Sequence, residues 1–290
     1  MKVLVTGVKG QLGFDVVNEL KKRNHEAVGV DIDEMDITDE SAVKRVMGEV
    51  KPDAVIHCAA WTAVDAAEDP SNIGKVMKIN ADGTRYIAGV CRETGAKMMY
   101  ISTDYVFDGQ GDEPWKPDCS EYAPLNVYGK SKLEGEKAVS GLLEKYFIVR
   151  IAWVFGKNGN NFVKTMLKLS ETHDALRVVN DQIGTPTYTY DLARLLVDMI
   201  ETERYGYYHA TNEGGYISWA DFAQEIFRQA EKNVKVIPVK TAEYGISKAK
   251  RPFNSRLDKS KLKIAGFAPL PDWRDALERY LTVLKEQRIN

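Results

Sequence analysis

The chain has 290 residues, 44% of them hydrophobic and 28% charged, which excludes a disordered or low-complexity protein and leaves ample material for a core. A formal net charge of -2 gives no general attraction to nucleic acid or to an anionic membrane surface. No apolar run approaches the roughly 20 residues of a membrane span, and the apolar start Met1-Lys2-Val3-Leu4-Val5 is too short for a signal peptide.

In chain order, the first half alternates strand and helix. Lys2 to Thr6 is a short β-rich run, followed by glycines and then a helix over 12–23 with Leu12, Val16, Val17 and Leu20 on one face. A second strand covers 25–31. A helix over 40–49 follows, capped by Thr38 or Asp39. Residues 54–59 are apolar on both faces, as a buried parallel strand requires. A helix over 76–94, a strand over 97–102, a helix from about Tyr128 and a strand over 147–151 complete the series. This order predicts an α/β fold with a doubly wound, Rossmann-like parallel sheet. Residues 1–155 would form a dinucleotide-binding domain, with about 177–212 returning to it. Residues 156–290 would form mainly a smaller, interleaved substrate-binding lobe. Within it, residues 217–227 read as an amphipathic helix capped by Ser218, its aromatic stripe belonging to the core.

The glycine loop Gly7-x-x-Gly10-x-x-Gly13 joins the first strand to the first helix. Gly7 suits a tight turn, Gly10 the approach of a pyrophosphate, and Gly13 close packing of helix on strand. The phosphates would lie on the helix's first amides, at Gln11 and Leu12. Asp31, at the end of the second strand, is placed to receive the ribose hydroxyls of NAD. Its charge disfavours a 2′-phosphate, although Lys9 nearby would help to admit NADPH.

Ser102-Thr103-Asp104-Tyr105 ends the strand over 97–102, where ligands bind in such sheets. Tyr128 and Lys132 are four apart on a helix, so they share a face. An ammonium beside a phenol favours the phenolate and lowers its pKa, which makes Tyr128 a candidate general acid. Each feature alone is common. Their order and separation are not.

Together they resemble the extended, nucleotide-sugar-modifying branch of the short-chain dehydrogenase/reductases. The motifs are Gly7-x-x-Gly10-x-x-Gly13, Ala59-Ala60-Trp61-Thr62, Asn80, Ser102-Thr103 and Tyr128-x-x-x-Lys132. Longer blocks are similar to the dTDP-4-dehydrorhamnose reductase family: 102–109, 124–130, 150–155, 159–162, 180–187 and 251–257. The resemblance implies NADH or NADPH as coenzyme and a 4-keto nucleotide sugar as substrate, in the synthesis of cell-surface polysaccharide precursors. Tyr128 would supply the proton, Lys132 would hold the nicotinamide ribose, and Thr103 would align the carbonyl oxygen. Asp36 and Ile37 would flank the adenine, while Ala59, Ala60, Trp61, Thr62, Asn80 and Ser102 would line the rest of the coenzyme. Asp104, Tyr105, Trp153, Asn161, Arg251 and Arg256 would meet the sugar nucleotide, the arginines suiting phosphate. The family includes magnesium-linked dimers, so Mg2+ and a homodimer are expectations of the resemblance alone.

Two other readings accompany the resemblance. A 4,6-dehydratase or 4-epimerase shares the branch. Dehydratases carry Asp-Glu after the threonine, however, and here Tyr105 follows Asp104. A non-catalytic subunit, like the regulator of methionine adenosyltransferase, shares the fold but has no need of Thr103, Tyr128 and Lys132. Cys58, Cys91 and Cys119 are odd in number and widely spaced, which fits a reduced cytoplasmic compartment.

Overall fold

The computed structural model describes residues 1–245 and 247–289. Strand β1 (Lys2–Thr6) leads into helix α1 (Gln11–Lys22), β2 (Glu26–Val30), α2 (Glu40–Val50) and β3 (Ala54–His57). Two short helices follow, α3 (Val64–Ala67) and α4 (Pro70–Met77), and then α5 (Gly83–Thr94), β4 (Lys97–Thr103), α6 (Val127–Leu142) and β5 (Tyr146–Ile151). The strands stand in the order β5-β4-β3-β1-β2, with the late strand Gly206–His209 added beside β5. Every pairing in this sheet is parallel. The winding direction reverses between β1 and β3, which opens a crevice beyond their carboxyl ends.

Alternation along each strand sends side chains to two cores. Val3, Val5, Ile56, Phe147 and Val149 pack on one face against α1 and the helix Thr189–Ile200. Leu4, Val55, Met98 and Ile148 pack on the other, against α2 and α5. Leu262, Phe267 and Leu270 also join the first of these cores, so a segment near residue 265 returns to the sheet as well. A third core fills the C-terminal lobe, where Phe222 and Ile226 of the helix Trp219–Gln229 meet Trp273, Leu277 and Tyr280.

Local sequence explains the boundaries. The Asp39 carboxylate caps α2 by accepting from the Ser41 amide at 2.9 Å. Asn126 caps α6 through the Gly129 amide at 2.8 Å. Ser218 and Asp221 form a reciprocal capping box at the start of the helix Trp219–Gln229. The helix expected over 76–94 differs. It begins earlier, at Pro70, and α4 is joined to α5 by a π-helical stretch, Lys78–Asp82. Such stretches widen the helix at one turn, and this one carries Asn80.

Helix α6 is fixed to β5 by a buried ion pair. The Arg150 guanidinium donates to both Glu136 carboxylate oxygens, at 2.8 and 2.7 Å, and also to the Tyr122 hydroxyl and the Pro117 carbonyl. This sets the depth of the helix that carries Tyr128 and Lys132.

Candidate active site

A cleft of about 1240 Å³ opens where the sheet order reverses. It runs from the β1–α1 turn past the ends of β3 and β4 to the N-terminal turn of α6 and Trp153. Its volume exceeds what one drug-sized ligand needs.

At one end the glycine loop forms a cradle. Gly7 has φ +69°, and a β-carbon there would meet the Ala59 backbone at 2.8 Å. A β-carbon at Gly13 would lie 2.3 Å from the Gly7 carbonyl oxygen, so only glycine lets α1 approach this closely. No side chain caps α1, which leaves its first amides, including those of Gln11 and Leu12, facing the cleft. These features fit a dinucleotide's pyrophosphate.

Asp31 lines the same end, accepting from the amides of Lys9 and Ile32, both at 2.9 Å. The Lys9 ammonium sits beside it, paired with Asp33. Asp36 and Ile37 are in the wall, as are Ala59, Ala60, Trp61 and Thr62. Asn80 stands one layer behind. Its side chain accepts from the Trp61 amide at 2.8 Å and donates to the Trp61 carbonyl at 3.1 Å and to Ser131 Oγ at 2.9 Å. It therefore shapes the wall rather than lining it. Ser102 Oγ is buried in the wall and is without a partner among the described residues.

At the other end Thr103, Asp104, Tyr105, Tyr128 and Lys132 converge. Thr103 ends β4, and its hydroxyl caps the following turn by accepting from the Tyr105 amide at 3.2 Å. It donates to Asp104 Oδ1 at 3.0 Å. Tyr105 meets Tyr128 edge to face, with ring centroids 5.6 Å apart.

The expected lowering of the Tyr128 pKa by Lys132 is not what the structure shows. Burial raises the phenol above the ordinary tyrosine value, and the neighbouring Thr103 hydroxyl offsets this only in part. The reason is geometric. The Lys132 ammonium lies over the Tyr100 ring, 4.1 Å from its centroid, and its main carboxylate neighbour is Glu136 rather than the phenol. Burial lowers Lys132 itself to about 7, against the pull of Glu136. Burial likewise raises Asp104 to about 6.

Trp153 lines the cleft with a left-handed φ of 51° and stacks on Trp219. Trp219 reaches the cleft too, although the aromatic stripe of its helix reads as core; Phe222 and Phe227 are core. Three residues expected at the sugar nucleotide stand outside the wall. Asn161 caps the helix Phe162–Leu169, and its amide donates to Gln11, Gly156 and Tyr280. Arg251 is ion-paired with Asp65 at 2.6 Å and donates to the Tyr105 hydroxyl at 3.3 Å. Arg256 donates to Asn254 at 3.0 Å. Gly159 and Asn160, beside the glycine loop, line the cleft, although within the block 159–162 only Asn161 was expected at the site. Among the described residues no cluster of three His, Cys, Asp or Glu side chains fits a metal ion, and no helix is long and apolar enough to cross a membrane.

The family model described as the RmlD substrate binding domain matches residues 1–286. The chain belongs to this family. An RmlD-family fold thus spans both lobes, including the coenzyme-type cradle. The chain is 41% identical to the spore coat polysaccharide biosynthesis protein SpsK of Bacillus subtilis, covering 97% of this chain and 96% of that one. Among solved structures it is similar to a dTDP-4-dehydrorhamnose reductase of Clostridium acetobutylicum, at 45% identity and a TM-score of 0.94, covering 98% of this chain and all of that one. It is also similar to the dTDP-4-dehydrorhamnose reductase of Bacillus anthracis in complex with NADP, at 43% identity and a TM-score of 0.92, covering 97% and 99%.

Proposed function

We propose that this protein is an NAD(P)H-dependent reductase that converts dTDP-4-dehydro-L-rhamnose to dTDP-L-rhamnose, with Tyr128 as proton donor. The observation that carries the reading is the convergence of Thr103, Tyr128 and Lys132 at one end of a cleft whose other end is a glycine cradle. The reductase and NADP named for the RmlD-family relatives support it.

A reduced nicotinamide coenzyme, when bound, supplies the hydride for the carbonyl carbon. The chain's own residues do the rest. The glycine loop and the first amides of α1 hold the pyrophosphate. Asp31 and Lys9 face the adenosine ribose, and Ala59 to Thr62 line the middle. Lys132 holds the nicotinamide ribose. Thr103 and Tyr128 hold the substrate carbonyl oxygen, and Tyr128 gives it a proton as it becomes an alkoxide. A phenol with a raised pKa suits this direction, because it stays loaded with its proton and is still a stronger acid than the alcohol formed. Such acid catalysis contributes about a hundred- to ten-thousand-fold. Asp104 and Tyr105 would meet the sugar, and Trp153 would offer an aromatic face to it. Arg251 would come to the diphosphate only by leaving Asp65.

Dehydration is disfavoured because the position after Asp104 carries a phenol, Tyr105, where a carboxylate base would be required. The test is coenzyme oxidation with a panel of nucleotide-linked 4-keto sugars, with NADH and NADPH run separately. Turnover with the dTDP-linked 6-deoxy-4-keto sugar is expected. Tight coenzyme binding without turnover on any sugar would instead indicate a regulatory subunit.

A further inference from the structure

We propose that His57, buried as a neutral ring with its proton on Nε2, is a positioning residue for coenzyme: through Thr84 it fixes the π-helical turn whose Asn80 holds the wall at Trp61. The proposal rests on the reading of the cleft as a coenzyme site.

His57 ends β3, is 1% exposed and stands behind the cleft wall rather than in it. Each ring nitrogen faces a threonine hydroxyl. Nδ1 lies 2.7 Å from Thr6 Oγ1, and Nε2 lies 3.1 Å from Thr84 Oγ1.

The neighbours decide which nitrogen carries the proton. A hydroxyl has one proton to donate. The Thr84 hydroxyl donates to the Asn80 carbonyl at 2.7 Å, so toward the ring it can only accept, and Nε2 must be the donor. On the other side, Thr6 Oγ1 accepts from the Ala59 amide at 3.1 Å, and its own proton goes to Nδ1. One polarity therefore satisfies every group: the Ala59 amide to Thr6, Thr6 to Nδ1, Nε2–H to Thr84, and Thr84 to the Asn80 carbonyl. The opposite tautomer takes the Thr84 proton away from Asn80 and turns a second donor toward Thr6. An imidazolium likewise replaces the acceptor that Thr6 has now. The ionisable groups around the ring do not favour that charge. Tyr100 stacks on it with centroids 5.7 Å apart, Cys58 follows it in the chain, and the Lys132 ammonium lies 4.1 Å from the Tyr100 centroid. Burial, with the Lys132 charge nearby, pushes the imidazole down to about 3.

Both ends of this chain of hydrogen bonds shape the cleft. Thr6 precedes Gly7 of the glycine cradle, and Ala59 is in the wall. At the other end is the Lys78–Asp82 stretch, where the Gly83 amide bonds the Lys78 carbonyl five residues back. A β-carbon at Gly83 would meet the Ile37 carbonyl oxygen at 2.9 Å, so this turn also packs against the adenine end. Asn80 clasps the Trp61 peptide from both sides and donates to Ser131 Oγ, which donates to the Tyr128 carbonyl at 2.7 Å. An apolar side chain could fill the space of the His57 ring. The imidazole adds a donor on one edge and an acceptor on the other, in fixed directions. Without its Nε2–H, the Thr84 hydroxyl is free to turn from Asn80, and the wall relaxes. Coenzyme binding must then restore it.

The test begins with the tautomer. Long-range proton–nitrogen NMR on protein labelled in histidine reports the protonation of each ring, and the His57 signals are those lost in His57→Gln. We expect a proton on Nε2 and a bare Nδ1, unchanged from about pH 5 to about pH 9, a range that brackets an ordinary histidine. A proton on Nδ1, or an imidazolium forming in that range, overturns the proposal. Binding of NADH and of NADPH without substrate is the second readout. Thr84→Val removes both the acceptor for Nε2–H and the donor to Asn80. It should weaken binding at least about fivefold, the low end of what an unpaired buried donor costs, while kcat at saturating coenzyme falls by less. Thr84→Ser, which keeps the hydroxyl, should restore most of the affinity. A ring that merely filled the core would leave the folded variant's affinity alone. Thr84→Val that binds coenzyme as wild type does, or that loses kcat at unchanged affinity, therefore overturns the positioning role alone. If Thr84→Val does not fold, His57→Gln, which keeps a donor toward Thr84 and has no acceptor for Thr6, must show the same split between affinity and kcat. A wild type that binds neither NADH nor NADPH overturns the coenzyme reading and the proposal with it.

Discussion

The indoles of Trp153 and Trp219 stack face to face, with centroids 3.7 Å apart and ring planes 14° apart. Trp153 follows β5 in a left-handed conformation that costs a non-glycine residue about 1–3 kcal/mol. Trp219 opens a helix of the C-terminal lobe. A β-carbon at Gly184 would sit 2.9 Å from the Trp153 ring, so that edge is closely packed too. The stack holds one wall of the cleft, which under the proposed function is its sugar end.

Removing it should therefore loosen substrate more than chemistry. An aromatic pair contributes about 0.5–1.5 kcal/mol, so Trp219→Ala should raise KM about 2- to 12-fold with a smaller change in kcat. Trp219→Phe should restore much of this. A fall in kcat at unchanged KM would mean that the stack does not serve the sugar.

Lys132 gives a pH signature in stability. The folded chain holds its proton only up to about 7, whereas an unfolded lysine holds it to about 10.4. Between these values the unfolded state binds more protons, so this group makes stability rise with pH. Below about 7 both states are protonated and the burial penalty is complete. Lys132→Met removes the penalty. Its stability relative to wild type should be highest at about pH 6 and should decline toward about pH 10, as measured by denaturant unfolding. A constant difference across that range would mean that Lys132 is charged in the fold throughout. The same variant should lose coenzyme affinity and turnover together.

The sheet was legible because its strands are short apolar runs, most of them buried on both faces, that alternate with helices, and because its first turn carries glycines at a fixed spacing. The convergence of the trio Thr103, Tyr128 and Lys132 was legible for a related reason: Tyr128 and Lys132 are one helical turn apart, and Thr103 ends a strand. What stayed hidden depends on contacts distant in sequence. Asn80, Asn161 and Arg251 are polar residues in recognisable blocks, but their partners are Trp61, Tyr280 and Asp65, whose proximity no spacing reveals. Trp219 sits on an amphipathic helix whose other aromatics are core, and only the docking of the lobes shows that its first turn meets the cleft. The Tyr128 pKa was misjudged because helical spacing fixes a shared face, not the direction of a long lysine side chain. That direction is set here by Glu136 and Tyr100.

The Arg150–Glu136 pair anchors the helix that bears the trio. Both side chains are almost completely buried. Arg150→Met leaves a buried carboxylate unpaired and should cost about 3–5 kcal/mol in denaturant unfolding. Adding Glu136→Gln should recover part of that loss. Strict additivity of the two changes would contradict the pairing.

Coenzyme choice should turn on two neighbours of opposite charge. Asp31→Asn should shift the ratio of catalytic efficiencies toward NADPH, by about tenfold for each 1.4 kcal/mol of repulsion relieved. Lys9→Met should shift it toward NADH. If neither ratio moves, the adenosine ribose does not lie between these two side chains.

The most direct measurement of the central claim is single-turnover reduction of the dTDP-linked 4-keto sugar by Tyr128→Phe, alongside coenzyme binding by the same variant. The ring is kept and only the proton is lost. Coenzyme affinity within about twofold of wild type, with reduction slowed at least about a hundredfold, is the result expected of a proton donor at this position. Reduction within a few-fold of wild type would contradict it and would place the acid elsewhere in the cleft.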